Sequence, residues 1–258
     1  VAIIKKSPAE IDNMAAAGDV LVKTMNLLEG KIRPGVSTQE LDSAAEKFIR
    51  SQGCEPAFKG YRGFPGSITT SPNSMVVHGI PGPYRLAKGD ILGVDIGVVK
   101  DGWVADAAHT FGVGPISDEA QQLLAVTKQS LFLAIEQCRP GRHLGDIGHA
   151  TQKYVEANGF SVIRTLVGHG VGRAMHEDPQ VPNFGRKGSG VLLEAGMVLA
   201  VEPMVNAGKA PVRMGNDGWS IFAQDGSLAA HFEFTVAITP DGPRVLTPWH
   251  EGRPARAA

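Results

Sequence analysis

Five residues of this chain pair a metal-capable side chain with a place where such a side chain is costly: Asp95, Asp106, His169, Glu202 and Glu233. Each lies within or at the end of an apolar run, or in a glycine-flanked turn. Taken singly, each has an ordinary structural role open to it, as a strand-end cap, a satisfied core histidine or an edge-strand glutamate. Taken together they do not, because four carboxylates gathered in one sheet repel one another and no Arg or Lys stands beside them in these runs. Two divalent cations would balance four negative charges, and bridging carboxylates suit two ions about 3.5–4 Å apart. Oxygen-rich coordination with one imidazole and no thiolate favours Mn, Fe, Co or Zn in a working site over a purely structural zinc. A water between two such ions becomes hydroxide near neutral pH, which is a nucleophile for hydrolysis.

The elements that must position these groups are legible around Gly89–Phe111. Two aliphatic runs, Ile91–Val99 and Trp103–Phe111, flank Lys100-Asp101-Gly102, and Asp-Gly between such runs predicts an antiparallel hairpin. Folding there brings Asp95 and Asp106 to within about one residue of direct opposition, where cross-strand Cβ atoms are roughly 5 Å apart. Either one carboxyl is protonated or a cation sits between them.

Upstream, Ser7-Pro8-Ala9-Glu10 has capping-box spacing and opens a helix ending near Glu29-Gly30; Ser37-Thr38-Gln39-Glu40 opens a second, running to Gly53. A shift of 106 positions repeats the pattern, laying Arg33-Pro34-Gly35 on Arg139-Pro140-Gly141, Leu41 on Ile147 and Gly53 on Gly159. A shift of 107 lays Gly89, Ile91 and Asp95 on Gly196, Val198 and Glu202, so an acid occupies the same point in each half. Asp118–Gln137 reads as a further helix, and Ser161–Val167, Met197–Val205 and Phe232–Ile238 as strands, the last two joined by a glycine-rich stretch holding Trp219. The expected architecture is a single α+β domain over residues 1–258, two related halves enclosing a curved, largely antiparallel sheet with helices outside. Residues 249–258 are expected to form a flexible tail.

Composition sets the bounds. With 258 residues, 43% of them hydrophobic, and a net charge of −1, the chain is expected to be globular and soluble, with nucleic acid an improbable partner since only Arg253–Arg256 is locally basic. No apolar run reaches the roughly 18 residues of a membrane span. Cys54 and Cys138 form no Cys-x-x-Cys pair, which fits a reducing cytoplasm.

Asn73–Pro81, Asp95 with Asp106, Gly168-His169-Gly170-Val171-Gly172, Met175-His176-Glu177-Asp178-Pro179, Ala200-Val201-Glu202-Pro203-Met204 and His231-Phe232-Glu233 together resemble, in order and over nearly the whole chain, the signatures of the type I methionine aminopeptidases, in their short bacterial form. The resemblance implies the pita-bread fold, whose internal two-fold agrees with the repeat. It implies two metal ions held by Asp95, Asp106, His169, Glu202 and Glu233, with Asp106 and Glu233 bridging. It makes His78 and His176 the groups that position the substrate and stabilise the transition state, with Glu202 as a proton acceptor. It places Tyr61, Phe64, Thr69, His78, Met175, His176 and Trp219 in the substrate pocket, an aromatic and thioether lining suited to a methionine side chain. Thr69 stands where many bacterial relatives have Cys, Arg62 where some have His, and Phe234 where some have His. The resemblance further implies a cytoplasmic monomer that acts on nascent peptide N-termini, with the ribosome as a candidate partner.

Three other readings meet obstacles in the sequence. Prolyl-specific relatives of this fold usually carry a large amino-terminal domain, for which a helix opening at Ser7 leaves no room. Type II methionine aminopeptidases usually insert a helical subdomain between the last two glutamate ligands, here separated by only 30 residues. Non-catalytic binding relatives have typically lost metal ligands, and this sequence presents all five.

Overall fold

The computed structural model describes residues 3–249. Four helices, α1 (Pro8–Glu29), α2 (Thr38–Ser51), α3 (Asp118–Ile135) and α4 (Leu144–Ala157), are interleaved with short strands. The first two begin as their capping boxes dictate. Ser7 and Ser37 accept from the backbone N–H groups of Glu10 and Glu40, whose carboxylates accept in return from the N–H groups of Ser7 and Ser37. Each cap contributes about 1 kcal/mol. In α1 the buried residues Ile11, Met14, Gly18, Leu21, Met25 and Leu28 form one stripe that lies on the hairpin.

The internal repeat is present in the backbone. Gly35 and Gly141 both take positive φ (89° and 84°), as do Gly53 and Gly159 (70° and 83°) and Gly89 and Gly196 (97° and 93°). An isolated bridge from Ser37 to Arg85 in the first half is matched by one from His143 to Leu192 in the second.

The hairpin forms over Ile91–Lys100 and Trp103–Gly112, with a shorter turn than the expected three residues. Lys100 pairs with Trp103, leaving Asp101-Gly102, both at positive φ (51° and 75°), as the turn. Two-residue turns of that hand match strand twist. Asp95 therefore stands opposite Ala108, and Asp106 opposite Gly97. The expected near-opposition is corrected to a two-residue offset, which keeps both carboxylates on one face as diagonal neighbours.

All strand pairing is antiparallel among the described residues, but it is divided into four sheets rather than one. The hairpin sheet includes Thr69–Pro72, and the sheet of the second half is centred on Phe234–Thr239, Val198–Val201 and Gly168–Gly170. The two meet at a seam. Glu233 N–H donates to Ala108 O (2.9 Å), Ala108 N–H to Glu233 O (3.4 Å), and the Thr235 hydroxyl donates to Asp106 O while accepting from Asp106 N–H (2.8 and 2.9 Å).

Three expected strands are shorter or broken. Met197–Val205 splits into Val198–Val201 and Met204–Asn206, which join different sheets, because Pro203 has no N–H to continue a ladder. Only Ser161 and Val162 pair in the segment expected to run to Val167, and the Phe232 strand starts at Phe234. The glycine-rich stretch folds into a hairpin of its own, Val212–Met214 with Ile221–Ala223, added to Met75–Val77. Trp249, expected to begin a loose tail, is instead 3% exposed, and its Nε1–H donates to Asn26 Oδ1. An indole ring has apolar area enough to hold the chain against α1. Residues 250–258 lie outside the described residues.

Candidate metal centre

The seam and the break at Pro203 bring the acids together. Asp95 and Asp106 project from the hairpin, Glu233 from the position before its strand, and Glu202 from the residue where the chain leaves one sheet for another. His169 is the central residue of Gly168–Gly170. That strand is possible only because its neighbours lack side chains: a Cβ on Gly168 would lie 2.3 Å from Ala200 O, and one on Gly170 2.2 Å from Asp178 O. The backbone there approaches its partners more closely than any L side chain permits.

Asp106, His169 and Glu233 can each offer one ligand atom, all within 4.8 Å of one another, and so can Glu202, His231 and Glu233. Glu233 belongs to both groups. Asp95 joins them through charge, since burial and then the carboxylates of Asp106 and Glu202 push its pKa far up. His231 is the residue that sequence reasoning missed. Its Nε2 lies 3.4 Å from Glu202 Oε2 and 3.8 Å from Glu233 Oε2. The signal was present as alternation: in His231-Phe232-Glu233 the outer residues share a face, and Phe232 is buried on the other.

The His169 tautomer is set for coordination. His169 Nδ1 lies 2.9 Å from the Gly170 carbonyl, which can only accept, so Nδ1 carries the proton and the Nε2 lone pair faces Asp106 and Glu202, each 3.7 Å away. Burial holds His169 down at about 4 and His231 at about 3, with His176 and His78 respectively adding to the effect. Neutral imidazole is the metal-binding form. Burial raises Asp106 to about 7, against the lowering effects of its contacts with Asp95 and the Ala107 N–H. Glu202 rises through burial and then Asp106, and Glu233 through burial and the other three acids.

Among the described residues, Asp95 Oδ1, Asp106 Oδ1, Glu233 Oε1 and His231 Nε2 are buried with no hydrogen-bond partner. Unpaired buried acceptors are expensive, and three carboxylate oxygens with a neutral imidazole nitrogen are what a divalent cation satisfies. The donor set therefore fits divalent metal.

Beside the acids is a cavity of about 300 Å³, lined in part by Tyr61, Phe64, Thr69, His78, His176 and Trp219, a volume at the lower end for small-ligand sites. Phe64 and Trp219 meet edge to face at 5.1 Å. His78 sits at φ 60° immediately after Met75–Val77, in the left-handed region, where a bulky residue is strained. His176 stacks on Tyr61, with its Nδ1 2.9 Å from the Tyr61 hydroxyl, and its ring lies 4.2 Å from that of His169. Partial burial, and then the Arg62 guanidinium, keep its pKa below the usual value.

Met175 is the exception. It is not in the cavity lining but is buried behind it with Trp103, Phe58 and Tyr61. A Cβ on Gly97 would lie 2.7 Å from its Cε. Met175 and His176 lie in the bend that precedes the Glu177–Val181 strand, where His176 faces the cavity and Met175 packs into the core. Phe58, Arg62 and the Thr165–Val167 segment line the cavity without having been foreseen.

A metal-capable cluster of four acids and two histidines in a cleft between related halves defines a class of hydrolase, and residues 12–240 match it: the chain belongs to metallopeptidase family M24. It is 54% identical over 245 residues to the methionine aminopeptidase of Clostridium perfringens, covering 95% of this chain and 98% of that one. The crystal structure of methionine aminopeptidase from Rickettsia prowazekii superposes with a TM-score of 0.94 at 39% identity, over 95% of this chain and 100% of the other. The prolidase from Pyrococcus furiosus, at 22% identity, matches 95% of this chain and 65% of its own with a TM-score of 0.78, a likeness of fold alone. The fold is the pita-bread fold.

Proposed function

We propose that this chain is a metal-dependent methionyl aminopeptidase that removes the initiator Met from new proteins whose second residue is small. One observation carries the reading: partnerless carboxylate and imidazole atoms open onto an aromatic-lined cavity of about 300 Å³. Asp95, Asp106, His169, Glu202 and Glu233 would hold two divalent ions, drawn from Co, Mn, Fe or Zn, and His231 stands ready to orient Glu202. When bound, the ions supply Lewis acidity and a water acidic enough to lose its proton near neutrality.

The chain's own residues do the rest. Phe64, Trp219 and Tyr61 enclose the thioether, which fixes the first residue of the peptide and excludes water. Glu202 accepts the proton of the attacking water. With the Tyr61 hydroxyl donating to His176 Nδ1, Nε2 carries a hydrogen that is donated to the oxygen developing negative charge. His78, kept neutral by burial, which lowers it to about 4 ahead of the effect of His176, aligns the scissile amide. The same reading makes the protein a cytoplasmic monomer that works on nascent chains, with the ribosome as a neighbour.

The test is a peptide mixture of Met-Ala-Ser, Leu-Ala-Ser, Met-Leu-Ser and Ala-Pro-Ser, given to metal-free protein with and without Mn²⁺ or Co²⁺ and followed by mass spectrometry. Loss of Met from Met-Ala-Ser alone, and only with metal, is expected. Cleavage confined to Ala-Pro-Ser would reject the proposal.

A further inference from the structure

Outside the acid cluster, one charged pair is buried for no reason that stability supplies. Lys6 Nζ donates to Glu177 Oε2 at 2.6 Å, and the two side chains are only 2% and 7% exposed. Lys6 Nζ also donates to Ile4 O, and its backbone N–H to Gly196 O, which fastens it to the second-half sheet. Burying such a pair gains little, since well-packed apolar residues of similar volume are often as stable or more so. What the pair adds is direction.

The other oxygen of Glu177, Oε1, accepts from the Ala174 backbone N–H at 3.2 Å, and Ala174 O accepts from Gly172 N–H at 3.2 Å. These contacts close a tight turn over residues 172–177, and His176 is the member of that turn that faces the cavity. The last glycine of Gly168–Gly172 also belongs to this device. A Cβ on Gly172 would lie 2.5 Å from Lys6 Cε and 2.6 Å from Glu177 Oε1. His176 is thus held from two sides, by Tyr61 at its Nδ1 and by Glu177 through the backbone.

We infer that Lys6 is a positioning residue for His176: its buried ion pair with Glu177 fixes the turn that aims the imidazole at the scissile carbonyl. This rests on the role given to His176 above. Lys6 touches no substrate and acts only through Glu177.

The experiment compares metal-loaded wild type with Lys6→Arg, Lys6→Met and the double variant Lys6→Met/Glu177→Met. Three quantities are read: kcat and KM on Met-Ala-Ser, thermal unfolding, and the ¹⁵N imidazole resonances of His176, assigned by their loss in His176→Gln. The double variant replaces the ions with apolar chains, so it is expected to fold. It lacks an acceptor for Ala174 N–H, so kcat is expected to fall about 10- to 100-fold with KM within about threefold, the signature of a misplaced transition-state contact. Its His176 resonances should shift away from the Tyr61-bonded pattern. Lys6→Met should lose kcat as the double variant does, while Lys6→Arg, which keeps a cation, should retain most of it.

A folded double variant with wild-type kcat and an unchanged His176 spectrum overturns the inference. So does one that unfolds at the assay temperature, since the pair would then be a stability element. If wild type itself released no Met, the proposed function would fail while the His176 spectra still decided the positioning role.

Discussion

Replacing Asp106 with Asn should make the metal-free protein more stable and the metal-loaded protein inactive. Burial lifts the Asp106 carboxyl from 3.8 to about 7, so keeping it ionised in the folded state costs at most about 4 kcal/mol. Below pH 3.8 the group is protonated in both states and costs nothing. Between 3.8 and 7 the unfolded chain has lost the proton that the folded chain retains, so wild-type stability falls by about 1.4 kcal/mol for each pH unit from this group. Above 7 the cost is constant. Asn keeps the size and an oxygen for the Ala107 N–H but carries no charge. Thermal unfolding in EDTA, followed by circular dichroism at pH 5, 6, 7 and 8, should show Asp106→Asn ahead of wild type by a margin that grows to pH 7 and then levels. A gain of about 2–4 kcal/mol corresponds to roughly 5–15 °C in a chain of this size. Added Mn²⁺ should reverse the order, raising wild type and leaving the variant where it was. A variant less stable than wild type without metal, or a margin independent of pH, would refute the view that these acids are held together against their own repulsion.

Three further substitutions separate the parts of the account. His231→Ala should weaken metal binding about 10- to 100-fold while the protein stays folded, as read by titration calorimetry, because its Nε2 faces both Glu202 and Glu233. Tyr61→Phe keeps the ring stacked on His176 and removes one hydrogen bond of about 1 kcal/mol; kcat should fall several-fold with unfolding unchanged. Trp249→Ala should cost about 3–5 kcal/mol in denaturant unfolding, since the ring is buried and anchored to Asn26.

Most of the fold was readable because local chemistry and global placement agree. Ser7 and Ser37 sit where their capping boxes put them, and the repeat read as matched glycines reappears as matched positive φ values. Asp-Gly announced the hairpin, but not its register, because a turn of two residues or three shifts every cross-strand pair. The break after Val201 follows from Pro203, yet only the sheets reveal that Glu202 gains its place by sitting at the crossing. The side to which Met175 turns was not legible, because it lies in a bend rather than a strand, where alternation gives no rule. His231 was missed because its distances to Glu202 and Glu233 exist only once the strand is laid across the seam. The Lys6–Glu177 contact joins residues 171 positions apart, and no local pattern marks either one.

The most direct test of the central claim measures bound metal and Met release on the same sample. Metal-free wild type and Glu233→Ala, each reloaded with Mn²⁺ and dialysed, are examined by plasma emission spectrometry and then given Met-Ala-Ser. Glu233 belongs to both ligand groups, so wild type should retain divalent metal and release Met, and the variant should do neither while remaining folded. Wild type that holds no divalent ion yet releases Met, or a Glu233→Ala protein that retains metal and activity, would contradict the account.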